Sequence, residues 1–181
     1  MTRIALAAVL LAALPLSTAA AESGVYVGVG SGEAEIRDQN AGFTARNPLY
    51  RGFVGYRASA PQSPLPFLDV AAEAGYIDYG RSSQTAQGQS VQYHLHGFHA
   101  SGLLLYPLGP LDLYGKAGVL FWSSYRNTGG ATTDRSGNNA LYGGGIAFRI
   151  GKIGIRTEYE RYNVSDVDRV QTYSASVLIQ F

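Results

Sequence analysis

The chain contains no cysteine. It therefore has neither a disulfide framework nor a thiol nucleophile. Past the amino terminus, no stretch approaches the roughly 18 consecutive apolar residues of a membrane-crossing helix, so a helical membrane protein is excluded. Net charge is also missing. Fourteen basic residues face thirteen acidic ones, and there is no basic patch for nucleic acid and no acidic tail.

The amino terminus has the composition of a secretory leader. Thr2-Arg3 precedes an apolar run from Ile4 to about Leu16, and Ala19-Ala20-Ala21 supplies small residues at a cleavage site. Cleavage before Glu22 is expected, leaving residues 22–181 as one domain. Loss of Arg3 would make the mature chain neutral. What remains is rich in glycine (23) and tyrosine (13), a mixture common in membrane barrels.

The main signal is a period of two. In the last stretch Tyr173, Ala175, Val177, Ile179 and Phe181 share one face, while Thr172, Ser174, Ser176, Leu178 and Gln180 share the other. An apolar face with aromatics at both ends fits a bilayer crossing. A spanning strand must lie in a closed barrel, because its unpaired backbone groups would otherwise sit in hydrocarbon. The same alternation recurs from about Gly24 to Ile36, Leu49 to Ala58, Phe67 to Tyr79, Val91 to Tyr106, Leu111 to Ser124, Asn139 to Ile150 and Ile153 to Tyr162. The expected fold is all-β: an eight-stranded antiparallel up-and-down transmembrane barrel after a cleaved signal peptide. Long polar connections (Arg37–Pro48, Gly80–Ser90, Tyr125–Asn138, Asn163–Arg169) alternate with short turns at Ser59–Pro66, Pro107–Pro110 and Gly151–Lys152. The fourth strand can be read with either parity; Phe98, Ala100, Gly102, Leu104 and Tyr106 make the better outward face. A soluble lipocalin-like barrel is the alternative, and it would place the charges outside and the apolar residues within.

Parity puts Arg51, Arg57, Asp69, Glu73, Asp112, Lys116, Arg149, Arg156, Glu158 and Glu160 on the inward face. An eight-stranded barrel is just wide enough to be filled by its own side chains. Buried charges need partners. Glu73 and Glu158 are therefore expected to pair with Arg51, Lys116, Arg149 and Arg156, with Arg57 in the same network.

Several segments in order carry a resemblance. They are Gly24-Val-Tyr-Val-Gly-Val-Gly30, Gly52-Phe-Val-Gly-Tyr-Arg57, Glu73-Ala-Gly-Tyr-Ile-Asp78, Gly115-Lys-Ala-Gly118, Arg156-Thr-Glu-Tyr-Glu-Arg-Tyr162 and Ser176-Val-Leu-Ile-Gln-Phe181. Together they resemble the small outer-membrane barrels related to the transmembrane domain of outer-membrane protein A and to the opacity-type surface proteins. The resemblance implies a Gram-negative outer-membrane location with termini in the periplasm and long loops outside. It also implies that Tyr173, Val177, Ile179 and Phe181 act as a signal to the barrel-assembly machinery. Outer-membrane protein A carries a peptidoglycan-binding domain after its barrel. This chain ends at the barrel, so wall anchoring is not expected.

Enzymatic signals are sparse. His94 and His96 share a strand face, as metal ligands can, but no third ligand stands near them. His99-Ala100-Ser101 resembles the His-x-Ser of the outer-membrane lipid A deacylases. Here Gly102 follows where that family has Asn, and parity points both residues inward. Tyr142-Gly-Gly-Gly145 lacks the following helix of a phosphate loop and reads as small residues in a curved sheet. The expectation is a monomeric, non-catalytic barrel without cofactor or metal, bathed in outer-membrane lipid, with a structural or surface-interaction role and an extracellular ligand at the long loops. A small ion or solute pore and a lipid A-modifying enzyme are the alternatives.

Overall fold

A computed structural model describes residues 23–38, 43–59, 67–86, 89–128, 131–162 and 169–181. The expected leader, most of the Ser59–Pro66 turn and most of Asn163–Arg169 lie outside them. The strands are β1 (Gly24–Asp38), β2 (Phe43–Ala58), β3 (Asp69–Ala86), β4 (Gln89–Leu108), β5 (Leu111–Thr128), β6 (Ala131–Ile150), β7 (Ile153–Tyr162) and β8 (Arg169–Gln180). Each pairs antiparallel with its neighbours in sequence, and β8 closes on β1 from Tyr26–Gln180 to Arg37–Arg169. Closure removes the sheet edges that a bilayer would not tolerate.

The alternation appears as two unlike surfaces. Val25, Val27, Val29, Tyr50, Val54 and Tyr56 are exposed on the outside, while Arg51, Phe53 and Arg57 between them are buried. The wall is apolar where it would meet lipid and the lumen is charged, which rules out the lipocalin-like arrangement. Strand four takes the favoured parity: Phe98, Leu104 and Tyr106 point out, and His99, Ser101, Leu103 and Leu105 point in. Tyr50, Tyr76, Phe98 and Phe121 ring one end of the wall, and Tyr56, Tyr106 and Phe181 lie toward the other. The Phe181 amide donates to the Val25 carbonyl at 2.9 Å, tying the carboxy terminus to the first strand.

The structure corrects the strand lengths. Three of the expected long connections are largely ladder: β1 and β2 pair up to Asp38–Phe43, β3 and β4 up to Ala86–Gln89, and β5 and β6 up to Thr128–Ala131. β4 and β6 have 20 residues each, about twice the 9–11 that a bilayer crossing needs. Alternation exists only where one face meets hydrocarbon. A hydrogen-bond ladder needs no apolar face, so it can continue where the hydrophobic pattern stops. β3 also starts later than expected, at Asp69, because Phe67 has φ 69° and leaves the ladder.

At the short-turn end, Gly151 has φ 59° between Ile150 and Ile153. A side chain there is strained by its own Cβ. Gly151→Val is expected to cost about 1–2 kcal/mol, read as a lower urea midpoint for the refolded barrel, with Lys152→Val as the neutral control.

Candidate functional site

The lumen is layered, and each layer follows from residues two apart on successive strands. Along β7, Arg156, Glu158, Glu160 and Tyr162 climb the inner wall; β2 sets Arg57, Phe53, Arg51 and Leu49 beside the same heights.

The central layer gathers Arg51, Lys116 and Arg156 with Glu73, Glu158 and Glu160, three cations against three carboxylates. Arg51 Nη1 donates to Glu158 and, at 3.0 Å, to Glu160. Lys116 Nζ reaches Glu73 at 3.0 Å, Glu160 at 2.8 Å and Glu158 at 3.3 Å. Arg156 holds Glu73 with both terminal nitrogens, at 2.7 and 3.3 Å, the bidentate geometry that favours arginine over lysine. Each carboxylate also accepts a tyrosine hydroxyl: Tyr26 on Glu73 at 3.2 Å, Tyr114 on Glu158 at 2.7 Å and Tyr162 on Glu160 at 2.7 Å. The Arg156 guanidinium lies 4.1 Å from the Phe53 ring centre. Glycines on β6 make room for these long side chains. A Cβ at Gly145 would collide with the Thr157 carbonyl and come within 2.7 Å of Tyr114 Oη.

A second charged layer lies toward the chain termini. Arg57 bridges Asp69 (Nε, 2.8 Å) and Asp112 (Nη1, 2.8 Å), and Arg149 Nη2 reaches Asp112 at 3.0 Å. Ser59 donates to Asp69 at 2.9 Å. Here the structure departs from the expected pairing, since Arg149 meets Asp112 and not Glu73 or Glu158. Parity gives the face of a residue but not its height, and Arg149 sits near the β6–β7 turn. Between the layers is a cavity of about 30 Å³, bordered by Arg57, Asp112, Tyr114, Arg149, Arg156 and Leu178.

The third layer is apolar and lies on the side of the long hairpins. β1, β2 and β3 contribute Ala34, Leu49, Ile77 and Tyr79; β5 to β8 contribute Leu120, Leu141, Tyr162 and Val170. Leu95 of β4 and Trp122 pack against it, and the Tyr79 and Tyr162 rings meet edge-on at 6.0 Å. Sequence reasoning missed this layer. Its members are ordinary inward residues, and only the register brings them to one height.

The other candidates separate. Tyr173, Val177, Ile179 and Phe181 all lie exposed on the outer face. His94 Nε2 meets Asp78 at 3.1 Å, with the His96 ring 5.1 Å from that of His94; no three-residue metal-binding group occurs among the described residues. His99 and Ser101 are buried in the lumen, and neither side chain finds a hydrogen-bond partner. That position gives no access to the acyl chain of a membrane lipid.

A closed barrel with an apolar outer wall and a charge-filled lumen invites comparison with known outer-membrane proteins. The pattern of the OmpA-like transmembrane domain matches residues 20–179. The chain belongs to the OmpA-like transmembrane domain family. Outer membrane protein P5 of Haemophilus influenzae is 32% identical over 181 residues, covering 88% of this chain and 50% of that protein. The chain thus spans about half the length of the curated relatives it matches. Among solved structures, Neisserial surface protein A aligns with TM-score 0.66 and 16% identity over 88% of this chain and 98% of its own. Ail of Yersinia pestis, crystallised with the heparin analogue sucrose octasulfate, aligns with TM-score 0.64 and 15% identity over 89% of this chain and 100% of its own. These likenesses establish the fold. The family and its relatives place the protein in the outer membrane, with its apolar wall in lipid.

Proposed function

We propose that this OmpA-like barrel is a closed, monomeric surface-interaction protein without catalytic chemistry, with its termini in the periplasm and its long hairpins outside the cell. The observation that carries this reading is the uneven height of the wall. β6 pairs with β7 only from Ile150–Ile153 to Leu141–Tyr162, while its ladder with β5 runs on to Thr128–Ala131. Residues Ala131–Ala140 therefore have no described strand on the β7 side, along roughly 33 Å at about 3.3 Å per residue. Among the described residues, this stretch of the β6 edge has every second residue pointing its amide and carbonyl outward. Such an edge accepts an extended polypeptide as an added strand. Asp134, Ser136 and Asn138 are exposed along it, and no proline interrupts it.

Ser136→Pro tests this. Proline removes one donor and blocks strand addition, yet an exposed edge tolerates it. Cells displaying the variant at normal surface level are expected to lose most of their adhesion to protein-coated surfaces. Adhesion equal to that of the parent would refute strand addition at this edge and turn attention to the hairpin tips.

A further inference from the structure

The ion-pair layer invites the reading that its salt bridges close the barrel. The apolar layer above it points elsewhere. We infer that the permeability barrier facing the long hairpins is a dry septum made by all eight strands, and that the charged layer beneath it is not the seal.

Three observations support this. First, the layer is complete around the lumen. Every strand contributes, and Leu49, Ile77, Leu120, Leu141, Tyr162 and Val170 are between 0 and 5% exposed, with Trp122 and Leu95 packed on them. Second, the ions lie directly beneath: Tyr162 belongs to the septum through its ring, yet its hydroxyl reaches down to Glu160 at 2.7 Å. An ion arriving from the hairpin side must pass the ring before it meets a charge. Third, the cavity lies on the terminal side of the central ion-pair layer, between it and the Arg57–Asp112–Arg149 layer, and so on the far side of the central charges from the septum. Apolar constrictions too narrow for hydrated ions close pores by excluding water, without any charged group. Removing a salt bridge below such a constriction changes the stability of the barrel and leaves the constriction in place.

The absence of cysteine makes the inference directly testable. Ser101→Cys places one thiol beneath the septum. The Ser101 hydroxyl is buried and has no hydrogen-bond partner, so the exchange costs no bond. Refolded barrels are held in vesicles with the hairpins outward, and silver ion, a thiol reagent close to water in size, is added outside. Surviving thiol is then counted with a maleimide after unfolding, in the fraction that was folded. A Ser136→Cys barrel provides the fully exposed reference.

With the septum intact, the Ser101→Cys thiol should survive while the reference is consumed. It should survive equally when Glu73→Gln is added, because only the layer below is altered. Adding Leu49→Asn and Leu141→Asn, which keep the branching and heavy-atom count but wet the septum, should speed its loss by roughly tenfold or more. The milder Leu141→Asn alone serves if the pair does not fold, with the same expected direction. Reaction through the intact septum, or reaction released by Glu73→Gln alone, would overturn the inference. Equal protection with the septum wetted would overturn it too, since the barrier would then lie elsewhere. None of these outcomes depends on what the β6 edge binds.

Discussion

Arg51→Ala is expected to lower the unfolding free energy of the barrel by about 3–5 kcal/mol, because it leaves buried carboxylates without their partner. Arg51 holds Glu158 and Glu160 together and reaches Ser174 at 3.3 Å. Without it, Lys116 and Arg156 would face three carboxylates inside the lumen. Coulomb repulsion between Glu158 and Glu160 would then be met by Lys116, by Arg156 at 3.4 Å from Glu158, and by neutral hydroxyls. Removing a charge of each sign should be gentler. Arg51→Met with Glu160→Gln keeps the layer neutral, and its cost should fall well short of the sum of the two single changes. The check is equilibrium unfolding in urea, in lipid vesicles, of the parent, both single variants and the double. An Arg51→Ala cost below about 1 kcal/mol, the level of a solvent-exposed pair, would mean that water already fills the lumen around these charges.

Val54→Arg should cost about 2–4 kcal/mol, the penalty of a cation on the lipid face near the bilayer midplane. Val54 is 48% exposed, a position where a soluble barrel accepts arginine freely. It stands between Val27 and Ala74 in the ladders, inside the two aromatic bands, four residues from Tyr50 and two from Tyr56. The same substitution at Pro48, exposed near the hairpin end of β2, should change stability little. A flat response at Val54 in vesicles would contradict the assignment of the outer face to lipid. The two tests probe opposite faces of one strand, since Arg51 and Val54 are three residues apart on β2.

Much of this barrel was legible in the alternation. Side-chain direction along a strand depends only on the local backbone, so the inward position of Arg51, Glu73, Lys116 and Glu158 could be read residue by residue. The ambiguous fourth strand shows the limit of such a reading. Leu103, Leu104 and Leu105 are apolar on both faces, and it was the neighbouring ladders that set His99 and Leu103 inside. The hairpins show another limit. Gly80–Ser90 and Tyr125–Asn138 have no hydrophobic pattern, yet their described backbones pair as strands, because a ladder of hydrogen bonds needs no apolar face.

By itself, then, the sequence determined the strand number, the two faces, the exclusion of disulfides and spanning helices, and the fact that charge would be enclosed. These are local or compositional properties. Only the tertiary structure decided which charge meets which, because height in the lumen is a product of register between strands distant in sequence. Register sent Arg149 to Asp112, brought Glu160 and three tyrosines into the central layer, and aligned one apolar residue or more from every strand into a septum. No single strand carries any of these features. They appear only when closure fixes the stagger of each strand against the next.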